Sequence, residues 1–149
     1  MIKILFICHG NICRSPMAEY VMKDLLKKNN LEFDFEISSA ATSTEEIGNP
    51  VYPPARDELR RHGIGCSGHH ARQVTMADYD YYDYLVVMDS MNVRNLRRII
   101  GEDTKGKVRK LRSFAGVQGD IQDPWYTGAF EEVYQQILEG CQAMLEQLK

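Results

Sequence analysis

Ile2-Lys3-Ile4-Leu5-Phe6-Ile7-Cys8-His9-Gly10-Asn11-Ile12-Cys13-Arg14-Ser15-Pro16 contains, in order, the signals of a strand, a turn and the start of a helix. Its first seven residues are β-prone, and their apolar side chains do not alternate strictly with polar ones. That is the pattern of a strand buried on both faces of a parallel sheet. Gly10 and Asn11 break the strand. Ser15 and Pro16 then supply an N-cap and a first helical residue for a segment that carries Met17, Val21, Leu25 and Leu26 on one face.

The same order repeats downstream. Phe33 to Ala40 reads as a second strand, Ala55 to His62 as a helix closed by Gly63, and Tyr84 to Met88 as a third strand. Asn92 to Ile100 reads as a helix closed by Gly101, and Val108 to Leu111 as a weaker fourth strand. The last helix carries Phe130, Val133, Tyr134, Ile137, Leu138, Cys141, Met144, Leu145 and Leu148 at three- and four-residue steps along one side, which places Cys141 in the core. Strands alternating with helices predict an α/β fold, a three-layer sandwich whose central four-stranded parallel sheet is covered on both faces. Ligands of such sheets sit at the carboxyl ends of strands, so the loop after the first strand is the first place to look for a site. No repeat, low-complexity tract or linker divides the chain, and residues 1–149 read as a single domain. The irregular stretch Thr42 to Pro54 is short enough to be one functional loop.

Composition narrows the classes. The 149 residues are 44% hydrophobic and 26% charged, ordinary values for a globular protein with its own core. The formal charge of -3 has the wrong sign for a protein that coats nucleic acid or anionic lipid, though a local basic pocket is compatible with it. No apolar run approaches a membrane span, and the opening strand is too short for a signal sequence. The expected location is therefore cytoplasmic, with no nucleic-acid or membrane partner, and Cys8, Cys13, Cys66 and Cys141 are read as thiols in a reducing compartment.

The chemistry lies in the loop from Cys8 to Pro16. A cysteine and an arginine six positions apart bracket a turn that opens onto a helix. If the loop wraps into a semicircle, the amides of His9, Gly10, Asn11, Ile12, Cys13, Arg14 and Ser15 converge on one point and the helix amino end adds partial positive charge. Arg14 contributes a planar fork matched to two phosphate oxygens. The field that holds an anion also favours the thiolate form of Cys8, which makes it a nucleophile toward phosphorus. Asp123, followed by Pro124, is held extended at a loop edge, where a carboxylic acid can protonate a departing oxygen.

Cys8-His9-Gly10-Asn11-Ile12-Cys13-Arg14-Ser15-Pro16 resembles the signature of the low-molecular-weight protein tyrosine phosphatases, and Asp123-Pro124-Trp125-Tyr126 is similar to that family's acid loop. The likeness covers essentially the whole chain. It implies a flavodoxin-like sheet of strand order 2-1-3-4 and hydrolysis of protein phosphotyrosine or small aryl phosphates through a cysteinyl phosphate. In that scheme Cys8 is the nucleophile, Arg14 binds phosphate and Asp123 is the general acid and base. The resemblance implies no cofactor and no metal, inhibition by phosphate-like oxyanions, and a monomer or weak dimer. It assigns Asn11, Ser15, Ser39 and His69 to a network that supports the loop, with Asn11 left-handed, and makes Cys13 a possible disulfide partner of Cys8 under oxidation. Trp125 and Tyr126 form one wall of the implied substrate cleft. Where animal members carry an aromatic residue in the opposite wall, this chain has Thr44-Glu45-Glu46, an acidic rim expected to disfavour acidic peptides. Members acting on phosphoarginine resemble this signature with threonine at the position of Ile12, so isoleucine points to phosphotyrosine.

Other features read as structural. Cys66, His69 and His70 are badly spaced for tetrahedral zinc. Ser15 serves equally well as a simple helix cap, and His9 lines the loop rather than forming a protease dyad with its sequence neighbour. Asp78-Tyr79-Asp80-Tyr81-Tyr82-Asp83-Tyr84 reads as an acidic loop whose tyrosines partly pack against a helix, and Arg94, Arg97 and Arg98 as a solvated helix face. Gly10 without a following Lys-Ser/Thr pair excludes a nucleotide-binding loop. The rival chemistry, a thiol-redox enzyme such as an arsenate reductase, needs a relay of cysteines, and the rival class is a phosphotyrosine-binding module without turnover.

Overall fold

A computed structural model describes residues 1–149. The strands are β1 (Ile2–Cys8), β2 (Phe35–Ala41), β3 (Tyr84–Val87) and β4 (Val108–Lys110). They form one parallel sheet in the order β2-β1-β3-β4, with Ile2 opposite Phe35, Cys8 opposite Ala41, and Ile7 opposite Val87. The helices are α1 (Arg14–Lys28), α2 (Pro53–Arg61), α3 (Met76–Tyr81), α4 (Ser90–Ile100), α5 (Pro124–Thr127) and α6 (Phe130–Leu148). A 3-10 turn, Leu111–Ala115, follows β4.

The lack of alternation in β1 has its cause in two cores. Ile4, Phe6 and Cys8 point to one face, where they meet residues of α1, α2 and α6. Leu5 and Ile7 point to the other, among Tyr79, Tyr82, Leu96 and Ile100. Both faces are dry, so both sets must be apolar. Full burial of side chains of this size contributes roughly 1.5–3 kcal/mol each. Gly140 in α6 marks the tightest packing: a Cβ there would fall 2.6 Å from Leu111 Cγ, so only glycine lets the helix lie against the 3-10 turn. No helix is long and apolar enough to cross a membrane.

The sheet order and the three layers agree with expectation, and the boundaries move for local reasons. Phe33, expected at the head of the second strand, is 84% exposed in the preceding turn. The first helix begins at Arg14, so Ser15 is not its cap; Cys13 holds that position without a side-chain bond, and Pro16 falls in the first turn, where no helical acceptor exists for its missing N–H. The second helix starts at Pro53 and the fourth at Ser90, where Asp89 and Asn92 form a capping box. The acidic loop at residues 78–84 is in part α3, closed by a Thr75–Asp78 capping box that its tyrosine-rich, stripe-free sequence does not advertise. Tyr79 and Tyr82 do pack against α4, and Arg94, Arg97 and Arg98 are exposed. The chain runs from β1 to β2 on one side and returns to β3 on the other, which puts the switch in strand order at the carboxyl end of β1.

Candidate active site

Residues 8–15 leave the end of β1 and curl back into α1. Neighbouring segments tie three of the loop's carbonyls, with Cys8 O accepting from the Thr42 N–H (2.9 Å), His9 O from Ser43 (3.0 Å) and Ile12 O from Tyr52 (2.9 Å), and Cys13 O accepts the first helical bond of α1 from Met17 (3.0 Å). With the carbonyls engaged outside, the amides are left for the interior of the curl. The Asn11 N–H already points at Cys8 Sγ, 3.3 Å away.

Asn11 has the φ of +60° expected of it, in a region that asparagine tolerates better than other side-chain-bearing residues. It is fully buried and every polar group finds a partner. Its Oδ1 accepts from the Arg72 N–H (3.2 Å), which turns Nδ2 toward Ser15 Oγ (2.8 Å). Since that bond makes the Ser15 oxygen an acceptor, its own proton is free to point at Cys8 Sγ, 3.0 Å away. Asn11 O accepts from His69 Nε2 (2.8 Å), so His69 carries its proton there and turns Nδ1 toward Glu19 Oε1, 4.0 Å away. Ser39 Oγ donates to that same Glu19 oxygen (2.5 Å), and Lys23 to the other (2.6 Å). Ser39 therefore reaches the loop only through Glu19, a buried carboxylate that sequence reading missed. A charge at 19 within the buried side of the first helix was the available signal.

Arg14 is 2% exposed. Its Nη1 donates to Asp89 Oδ2 (2.6 Å) and to Ile121 O (2.8 Å), and its Nη2 lies 3.5 Å from Asp123 Oδ2. Burial alone would lower its pKa, but Cys8, Asp89 and Asp123 outweigh it and raise the value, so the guanidinium stays charged. Asp89 uses its other oxygen to cap α4 at the Asn92 N–H (2.7 Å), so one carboxylate fixes both a helix and the arginine. It too escaped the sequence reading, although it stands directly after a strand end, where such sheets place functional groups. Burial pushes the Cys13 thiol up, and Cys8 and Asp123 add to that push, which leaves it a neutral neighbour of Cys8.

Cys8 lies in a cleft of about 370 Å³ with His9, Gly10, Ile12, Cys13 and Arg14. Its walls are Glu45 and Glu46 on one side and Asp123, Trp125 and Tyr126 on the other. Asp123 is extended, as its place before Pro124 requires, and its Oδ1 caps α5 by accepting from the Trp125 N–H (3.0 Å). Trp125 packs on Tyr52, ring centres 4.6 Å apart. Glu45 is hydrogen-bonded to His9 Nε2, and Glu46 accepts from Asn49 Nδ2. The expected site residues thus converge, apart from Ser39, which stands behind the loop. Cys66, His69 and His70 do not gather into one cluster: His69 turns inward to Asn11 as a loop support, while His70 Nδ1 meets Gly48 O (3.2 Å).

Comparison with known proteins agrees with this geometry. The family profile described as low molecular weight phosphotyrosine protein phosphatase matches residues 3–149. The chain is 41% identical over 151 residues to the low molecular weight protein-tyrosine-phosphatase YfkJ of Bacillus subtilis, spanning 100% of this chain and 97% of that one. It is 43% identical over 148 residues to the Homo sapiens low molecular weight phosphotyrosine protein phosphatase, spanning 96% and 93% of the two chains. The crystal structure of YfkJ superposes with a TM-score of 0.96, covering 99% of this chain and 94% of its own. The chain belongs to the low molecular weight phosphotyrosine protein phosphatase family.

Proposed function

We propose that this enzyme hydrolyses phosphotyrosine in proteins, and small aryl phosphates, by two displacements at phosphorus. Cys8 thiolate attacks, the sulfur–phosphorus bond forms as the bond to the phenol oxygen breaks, and Asp123 gives that oxygen its proton. Water then attacks the cysteinyl phosphate, Asp123 takes a proton from it, and inorganic phosphate and the thiolate are released. Nη1 of Arg14 is occupied by Asp89 and Ile121, so its remaining N–H donors are available to two phosphate oxygens, alongside the loop amides. Charge that develops on the equatorial oxygens is met by donors already in place, which is most of what phosphoryl transfer requires.

The observation that carries this reading is the placement of Cys8 Sγ at the bottom of the curl, beside two donors, in a cleft it shares with Arg14 and with Asp123, 3.5 Å from that arginine. The aromatic wall of Trp125 and Tyr126 suits a phenyl ring that must reach a recessed sulfur. Ile12 puts an apolar side chain, not a hydroxyl, in that cleft, which favours the ring over a guanidinium phosphate. A redox relay finds less support: Cys141 is sealed in the core and Cys66 lines a different cavity.

The test is acid quenching during turnover of a labelled aryl phosphate. Label bound through Cys8 and a burst of phenol are expected from the intact enzyme. Cys8→Ser should lose turnover by more than about 10³-fold while still binding inorganic phosphate. Undiminished hydrolysis by Cys8→Ser, or arsenate reduction without phenyl phosphate hydrolysis, would sink the reading.

A further inference from the structure

The cleft over Cys8 continues past Ile12 and Trp125 into a second cavity of about 490 Å³, with Ile12, Glu46 and Trp125 as the shared wall. The outer side of this cavity is α2, which contributes Arg56 and Arg60, one helical turn apart and both exposed. Their neighbour Arg61 is committed to the buried carboxylate of Glu58 (2.8 Å). Arg56 meets only the exposed Asp57, at 3.5 Å, and Arg60 has no carboxylate within 4.0 Å. Glu46, hydrogen-bonded to Asn49, is the one carboxylate lining the cavity, against the two guanidinium groups. A third cavity of about 530 Å³ opens on the other side of the cleft, but there the two carboxylates of Asp89 and Asp123 balance the two guanidinium groups of Arg14 and Arg98. Among the residues lining the two cavities, arginine charge therefore exceeds carboxylate charge on one flank only.

We propose that the second cavity is a subsite for an acidic side chain of the substrate polypeptide, close in sequence to the phosphotyrosine over Cys8, and that Arg56 and Arg60 receive its carboxylate. The proposal rests on the reading of the adjoining cleft as a phosphotyrosine site. An extended peptide advances about 3.3 Å per residue, so a side chain one to three residues away crosses the shared wall without a bend. Guanidinium groups bind a carboxylate by donating paired N–H bonds to its two oxygens. Glu45 and Glu46 keep the mouth over Cys8 acidic, so the gain belongs only to an acidic side chain that passes the shared wall into the second cavity. Exposed ion pairs are screened, so the gain is modest and falls with salt.

The experiment compares phosphotyrosine peptides in which Asp, Ala or Lys occupies, in turn, each of the three positions before and after the phosphotyrosine, with free phosphotyrosine as control. Asp is expected to raise kcat/KM about fivefold over Ala at one or two positions on one side only, through KM, with the gain shrinking at high salt. Arg56→Gln/Arg60→Gln should erase that gain and leave turnover of free phosphotyrosine unchanged, and Arg60→Glu should turn the preference toward Lys. Indifference to peptide charge with free phosphotyrosine turned over normally, or an Asp preference that survives in the double variant, overturns the subsite alone. Failure of the intact enzyme to turn over free phosphotyrosine overturns the reading of the cleft, and the subsite with it.

Discussion

The floor and the rim of the cleft are built differently. On the floor, Asn11 and Ser15 are fully buried, Arg14 nearly so, and each side chain is held by at least two partners. On the rim, Trp125 is 50% exposed and Tyr126 82%, and Trp125 leans on a single ring. Groups that must meet developing charge gain from being fixed beforehand, since reorganisation during the reaction would raise the barrier. Groups that only select the substrate gain from adapting to it. Substitutions on the floor should accordingly change kcat, and those on the rim should change KM.

The strongest way to break this contrast is at Asp89. Asp89→Ala leaves the buried Arg14 without its closest carboxylate and is expected to lower kcat/KM about 10²-fold, while loss of the α4 cap costs about 1 kcal/mol of stability. Asp89→Asn retains a capping oxygen and should recover the stability but not the rate. Equal rates for Asp89→Asn and the intact enzyme would mean that the charge does not position Arg14. The next effect is at Asn11, where Asn11→Gly keeps the left-handed backbone but removes the bond to Ser15. A drop in kcat of about tenfold is expected from Asn11→Gly in steady-state assays, with a larger loss for Asn11→Ala, which is also strained at φ of +60°. On the rim, Trp125→Ala should raise KM for phosphotyrosine peptides about threefold with kcat nearly unchanged. A fall confined to kcat there would erase the distinction between the two regions.

The smallest effect on catalysis is expected far from the cleft. Burial pushes the Asp103 carboxyl up, but the Tyr79 hydroxyl and the amides of Val108 and Lys107 outweigh it and hold it below its ordinary 3.8. A depressed carboxylate contributes stability that is fully present above its unfolded value and is lost as pH falls through the folded one. Asp103→Asn should therefore lower the melting temperature near neutral pH, show a shallower decline on acidification below about pH 4, and leave kcat intact. The same slope in both proteins would remove Asp103 from the acid sensitivity.

The nine residues from Cys8 to Pro16, together with Asp123 and Pro124, made the site legible because its central parts are contiguous. A strand end, a residue that tolerates positive φ and a helix start are local properties, and local properties are written in order along the chain. The two-sided burial of β1 was legible for the same reason. Asp89, Glu19 and the Ile121 carbonyl were not, since each matters only through the guanidinium or imidazole that folding brings to it from 75, 50 and 107 residues away in sequence. α3 was hidden as well, because a helix of six residues stabilised by its cap and by two tyrosines packed on α4 has no stripe to read. The sequence by itself determined the place of Cys8 at a strand end, the curl that follows it and the α/β alternation. Only the tertiary structure decided which carboxylates stand against Arg14 and His69 and how charge is distributed around the cleft, because Coulomb and hydrogen-bond energies depend on distances that exist only after the sheet has assembled.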